Sequence, residues 1–221
     1  VMVGKVILSL IWVFWIFVID STAEGQDNTT EYIPTYSSTY DRVKTRGNVI
    51  CGTNDEFPGF SQEIWSAEDG SKWEGFDVDI CSAVAVAMFG DADAIEFIVV
   101  NGKTRIEFVK DGSIDILSAA TTYTFSRHVL KKFEFMPTTY YDGQGFIVRK
   151  TLGVSSAKQM EGARICFSGS GTAAQNIADF VELHGINYIP VAVPPNEQTK
   201  NVKKMGDCDM EVTDRAHITL Y

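Results

Sequence analysis

Short runs of β-branched and aromatic residues alternate along this chain with stretches whose apolar positions recur at helical spacing. VICGT, Val49 to Thr53, reads as a strand, Val78 to Phe89 as a helix, and IEFIVV, Ile95 to Val100, as a strand. Thr104 to Lys110 reads as a short helix and IDIL, Ile114 to Leu117, as a strand. Strand, helix, strand, helix, strand is the pattern of a parallel sheet covered by helices. From Gly145 the pattern begins again. Strands are expected at Phe146 to Arg149, Arg164 to Phe167, Tyr188 to Val193 and Asp209 to Val212, with helices at Thr172 to Leu183 and Glu197 to Met205. The chain thus describes an α/β protein of two lobes, 46–144 and 145–221, with no internal sequence repeat. Tyr221 falls just after a strand, in what reads as the start of another helix, so the second lobe is expected to be incomplete and the chain a fragment.

The first residues follow a different pattern. One lysine, Lys5, precedes an unbroken run of apolar or small residues from Val6 to Ile19, closed by Asp20 and Ser21-Thr22-Ala23. A helix of that run spans about 21 Å, short of the roughly 30 Å hydrocarbon core of a bilayer. With small residues at Ser21 and Ala23, residues 1–23 resemble a secretory signal peptide cut after Ala23, with a retained anchor as the alternative, and the mature chain is expected to be exported. Residues 24–45, polar and rich in Thr, Ser and Tyr, read as a linker ending in a short helix.

Composition narrows the partners. A hydrophobic content of 45% in 221 residues permits a sizeable core. A formal charge of -10 repels polyphosphates, so no nucleic-acid partner is expected. Export gives Cys51, Cys81, Cys166 and Cys208 a use, because an oxidising compartment lets four cysteines form two disulfides in any of three pairings. Buried free thiols are the plainer alternative. His128, His184 and His217 are scattered, without ligand-like spacing to the thiols, so no metal site is expected.

Candidate chemistry comes from topology. In open α/β sheets ligands bind beyond the carboxyl ends of the strands. That rule selects Asn54 to Ser61, Ser118 to Arg127, Ser168 to Gln175 and Thr213 to Arg215. Among these, Arg127 offers a planar fork for a carboxylate, Thr121, Thr122 and Thr172 offer hydroxyls and amides, Asp214 an acceptor for an ammonium, and Phe57 a flat apolar face. The set suits a free α-amino acid. Each residue alone has a simpler role: surface cation, loop cap, helix cap or core. GSGT lacks the lysine of a phosphate-binding loop, and no G-x-S-x-G occurs, so neither a nucleotide cofactor nor a serine nucleophile is implied.

These residues carry a resemblance. WEGFDVDICSAVAVAMFGD is similar to the signature of the bacterial extracellular solute-binding proteins for polar amino acids, the receptors of ABC importers. GNVICGTNDEFPGFS, SRH after the Thr pair, TTYYDGQGFIVRK and GDCDMEVTD resemble the subgroup serving general L-amino acid transport. The match runs from about Arg46 to Asp214. The resemblance implies a two-lobed, type II periplasmic-binding-protein-like fold, each lobe a mixed sheet with flanking helices, closing on one amino acid. It further implies a periplasmic, monomeric receptor that delivers its ligand to an inner-membrane permease, with no catalytic residues and no cofactor. On this family pattern Phe57 stacks on the ligand side chain, Thr122 and Arg127 hold the α-carboxylate with Thr121 beside them, Thr172 adds a contact from the second lobe, and Asp214 takes the α-ammonium. Ala120, and the run Ser170-Gly171-Thr172-Ala173-Ala174, depart from the family pattern. Lobes that open and close cannot be stapled across the cleft, so the implied pairing is Cys51 with Cys81 and Cys166 with Cys208.

Two other functions are compatible with the same fold. A dehydratase resembling the cyclohexadienyl dehydratases needs a general acid or base over the ligand, for which Asp55 and Glu56 lie near the right loop. The sensor domain of a membrane receptor is the other. Asp77 and Asp79, which look like an acid pair, fall at the first turn of a helix, where carboxylates favour the dipole, and they read as architectural.

Overall fold

The computed structural model describes residues 38–68, 70–169, 171–194 and 208–218, all within the contact-defined unit Ser37–Tyr221. The signal peptide 1–23, most of the linker and the helix expected at Glu197 to Met205 lie outside the described residues.

Helix α1 (Thr39–Arg46) is fixed at both ends by its own sequence. Ser38 and Asp41 form a capping box, and Gly47 ends the helix in a left-handed conformation. Its face buries Val43 against Val49 and Ala85. Arg42 and Arg46 both pair with Asp115, which also accepts the backbone N–H of Ile50 at 2.8 Å. One buried carboxylate thereby ties the first helix to the first strand.

In lobe 1 the strands β1 (Val49–Thr53), β5 (Ile95–Val99) and β6 (Ile116–Leu117) form a parallel sheet in the order β5-β1-β6. Helix α2 (Phe76–Phe89) presents Val78, Cys81 and Ala85 to it, and helix α3 (Arg105–Asp111) presents Ile106. Core residues lie on both sides, with Val43, Val49 and Ala85 in one cluster and Val100, Ile114 and Ala119 in the other. The expected strand Ile114 to Leu117 is shorter, because Ile114 donates its N–H to the Phe108 carbonyl in the middle of α3 instead of to a neighbouring strand. Between β1 and α2 the sequence reading expected only a loop. The chain there forms an antiparallel sheet of β2 (Glu56–Phe57), β3 (Ser61–Ser66) and β4 (Gly70–Glu74).

Lobe 2 holds a mixed sheet of β7 (Gln144–Val148), β8 (Arg164–Ser168), β9 (Ile189–Val193) and β10 (Met210–Asp214) in the order β7-β10-β8-β9, with β7 alone antiparallel. Helix α4 (Ala173–His184) places Ala173, Ile177 and Val181 at i, i+4 and i+8 against Ile165, Phe167, Met210 and Val212. A last short helix, α5 (Arg215–Ile218), approaches β7 so closely that a Cβ on Gly145 would lie 2.6 Å from the Ile218 side chain.

Cys51 pairs with Cys81 and Cys166 with Cys208, with Cα separations of 6.2 and 5.7 Å. Each bridge joins a strand to a segment of the same lobe, as the family pattern implied. Closing loops of 30 and 42 residues contributes about 3–4 kcal/mol each on chain-entropy grounds. Among the described residues no helix is long and apolar enough to cross a membrane.

Candidate functional site

All three strands of the lobe 1 sheet run the same way, so the segments after Thr53, Val99 and Leu117 emerge at one edge. In lobe 2, β8 and β10 are parallel, which brings the segment after Ser168 and the residue Asp214 to one edge as well. The backbone thus gathers every loop that the sequence selected, and adds one it did not, Val100 to Thr104.

That additional loop ends in Arg105, which sequence reasoning missed. Its Nη1 donates to the Ala119 carbonyl at 3.1 Å and to Thr121 Oγ1 at 3.3 Å, while its Nε is buried without a partner. Burial pulls its pKa down to about 10; the nearby Arg127 cation adds to the shift, and Asp214 opposes it. Arg127, buried, donates through Nη1 to the Thr122 carbonyl at 2.6 Å. Burial lowers its pKa as well, again against Asp214. Asp214 is half-buried, and its pKa is raised first by burial and then by Asp142, with Arg105 and Arg127 acting in the other direction. Two guanidinium groups, Arg105 and Arg127, and two carboxylates, Asp142 and Asp214, therefore share one field. The signal for Arg105 was present, since the strand-end rule applies to NGKTR as it does to the other loops.

Phe57 is 4% exposed and stacks with Phe60 at 4.5 Å and with His217 of α5 at 4.3 Å. The ring expected to receive the ligand side chain is thus already in contact with an imidazole from the other lobe. Burial lowers the His217 pKa against the pull of Asp142, and its Nε2 is buried without a partner. Asp142 holds the start of α5 by accepting the Ala216 N–H at 3.1 Å. Tyr140 meets Phe60 edge-on at 5.0 Å, which extends the aromatic cluster.

The threonines divide. Thr121 is half-buried, accepts from Arg105 and donates to the Ala119 carbonyl at 3.2 Å. Thr122 is exposed, and its carbonyl orients Arg127. Thr172 is the half-buried N-cap residue of α4 whose hydroxyl makes no capping bond. It shares the carboxyl edge of the lobe 2 sheet with Asp214. Of the two acids considered for an enzymatic role, Asp55 is exposed.

Asp77, in contrast, is buried, and it accepts from Ser118 Oγ at 2.8 Å and from the Ala120 N–H at 3.0 Å. Burial raises its pKa, opposed by those two bonds. It is not a second acid facing the cleft; it is bonded to the loop that carries the threonines.

Residues 49–208 match the family model of the bacterial extracellular solute-binding proteins, family 3. Over 181 residues the chain is 40% identical to the general L-amino acid-binding periplasmic protein of Rhizobium johnstonii, covering 81% of this chain and 52% of that protein. Over 178 residues it is 39% identical to the glutamate/glutamine/aspartate/asparagine-binding protein of Rhodobacter capsulatus, covering 80% of this chain and 52% of that one. Among solved structures, an ABC transporter periplasmic binding protein from Brucella ovis with glutathione bound superposes with a TM-score of 0.74 at 35% identity, covering 82% of this chain and 56% of that chain. The chain spans about half the length of the curated relatives it matches.

Proposed function

The chain belongs to the bacterial extracellular solute-binding proteins of family 3, and from that premise we propose that it captures one free L-amino acid between its two lobes, 46–144 and 145–221. The observation that carries this reading is that Arg105 and Arg127 of lobe 1 act electrostatically on Asp214 of lobe 2, while Phe57 of lobe 1 stacks on His217, three residues after Asp214. An α-amino acid presents a carboxylate and an ammonium on one carbon, and a guanidinium facing a carboxylate across a narrow gap is complementary to that pair.

In the proposed pose Arg127, with Thr121 and Thr122 beside it, takes the α-carboxylate, Asp214 takes the ammonium, and Thr172 adds a contact from the start of α4. The bonding of Arg105 then selects a side chain. Its buried Nε has no partner, so a carboxylate or amide side chain that accepts from it is favoured over an aliphatic or cationic one. The Rhodobacter relative, named for binding glutamate, glutamine, aspartate and asparagine, agrees with that class. Lobe closure on the ligand, and presentation of the closed form to an inner-membrane ABC permease from the periplasm by a monomeric receptor, complete the proposal.

The test is isothermal titration of the chain against the common L-amino acids, with chromatographic product analysis alongside. The expected result is saturable binding, tightest for glutamate, aspartate or their amides, with the ligand recovered unchanged. Recovery of a converted product would replace the receptor by an enzyme of the dehydratase type, and a cationic amino acid as the tightest ligand would overturn the role given to Arg105.

A further inference from the structure

We infer that Asp77 is a positioning residue for ligand capture: from the first turn of α2 its carboxylate sets the backbone turn that aims Thr121, Thr122 and, through them, both arginines. The inference rests on the amino-acid-binding reading and deepens it. Asp77 is 5% exposed, and each of its oxygens accepts one bond from the loop after β6, from Ser118 Oγ and from the Ala120 N–H. Ala120 stands at φ 44°, in the left-handed region that a residue with a Cβ rarely adopts, so something must hold it there. The carboxylate bonded to its own N–H is the group placed to do so.

The two threonines after Ala120 take their direction from that turn. Thr121 Oγ1 receives Arg105 and the Thr122 carbonyl receives Arg127. The base on which Asp77 stands is rigid. Its own N–H donates to the Phe60 carbonyl at 2.8 Å, Gly75 before it has φ 124° in a space that a Cβ would fill against Phe60, and Cys81 one turn later is bridged to β1. Ser118 is in turn held by donating its N–H to Gly52 of β1. The hairpin that carries Phe57 and the loop that carries the threonines are therefore referenced to one residue.

The test compares the chain with Asp77→Asn, Asp77→Ala, Ser118→Ala and the double variant Asp77→Ala/Ala120→Gly, using calorimetric titration with L-glutamate and L-glutamine and amide exchange at Ala120 to Arg127. Asn keeps an acceptor for the Ala120 N–H and turns its amide to the Ser118 hydroxyl, so its affinity stays within about threefold. Asp77→Ala is expected to lose tenfold or more and to speed exchange in that loop only. Ser118→Ala, which removes one bond of two, is expected to lose a few-fold. Glycine at 120 adopts the left-handed turn without strain, so the double variant should recover part of the lost affinity, which a general packing defect would not allow. Wild-type affinity in Asp77→Ala overturns the inference. So does a loss that neither Asn nor the Ala120→Gly change rescues, or Asp77→Asn behaving as the alanine variant. If the unaltered chain binds neither amino acid, the receptor reading fails and takes the inference with it.

Discussion

Lobe 1 and lobe 2 supply their halves of the candidate site in different ways. In lobe 1 each charged group is held by bonds within the lobe. Arg105 is fixed by Ala119 and Thr121, Arg127 by Thr122, and the loop beneath them by Asp77. In lobe 2 the contribution comes from the end of one strand and the four-residue helix after it, with Asp214 and His217 reaching toward groups of the other lobe. On the proposed reading, the difference teaches that one half is organised before a ligand arrives and the other completes it. A cation pair that is already oriented costs little further ordering when the carboxylate binds.

Breaking the completing half should have the largest effect. Asp214→Ala leaves the ligand ammonium unpaired in the closed cleft and is expected to weaken binding by about 3–5 kcal/mol, measured by calorimetry; affinity within tenfold of the unaltered chain would mean the ammonium binds elsewhere. On the organised side, Arg105→Met is expected to cost acidic ligands about 1–3 kcal/mol more than a neutral amino acid such as alanine. An equal loss for all ligands would assign Arg105 to the α-carboxylate instead. His217→Ala frees one contact face of Phe57 and should shift preference toward larger side chains by about 1 kcal/mol, read from the ratio of affinities across a ligand series. No change in that ratio would show that the imidazole leaves the ring on closure.

The last effect is on stability instead of affinity, and it separates the lobes in another way. Glu211, the buried second residue of β10, has its pKa raised by burial to about 7. The folded protein therefore holds that proton to a higher pH than the unfolded chain. The stabilisation is complete below the ordinary carboxyl range and is lost as pH rises through about 7. Glu211→Gln should remove this dependence, raising stability above neutrality by roughly 2 kcal/mol relative to the unaltered chain while leaving acid stability nearly unchanged. Thermal melts across pH would check it, and parallel pH profiles for the two proteins would exclude Glu211 as the source.

The alternation of strand and helix was legible because each element has a local cause: β-branched runs for the strands, apolar spacing of i, i+3, i+7 in α2 and i, i+4, i+8 in α4, and glycine after their last turns. The antiparallel hairpin was not, since Gln62, Glu63 and Lys72 leave its strands largely solvated and without a strict apolar alternation. Arg127 and Asp214 could be read from their place after strand ends. Arg105 was hidden because it opens a helix, where an arginine looks like a surface cation. Asp77 was recognised as architectural, yet what it supports lies 41 residues away in sequence, and no local pattern reports so distant a partner.

The two disulfides join first to second and third to fourth cysteine along the chain. A polypeptide threaded through a membrane from its N-terminus presents Cys51 and Cys81 to an oxidant well before Cys166 appears. Order of arrival alone then selects the native pairs, and no reshuffling enzyme is required to correct them. Pulse-labelled, alkylated export intermediates should contain the Cys51–Cys81 bridge first, and abundant species linking Cys81 to Cys166 would show that oxidation waits until the whole chain has crossed.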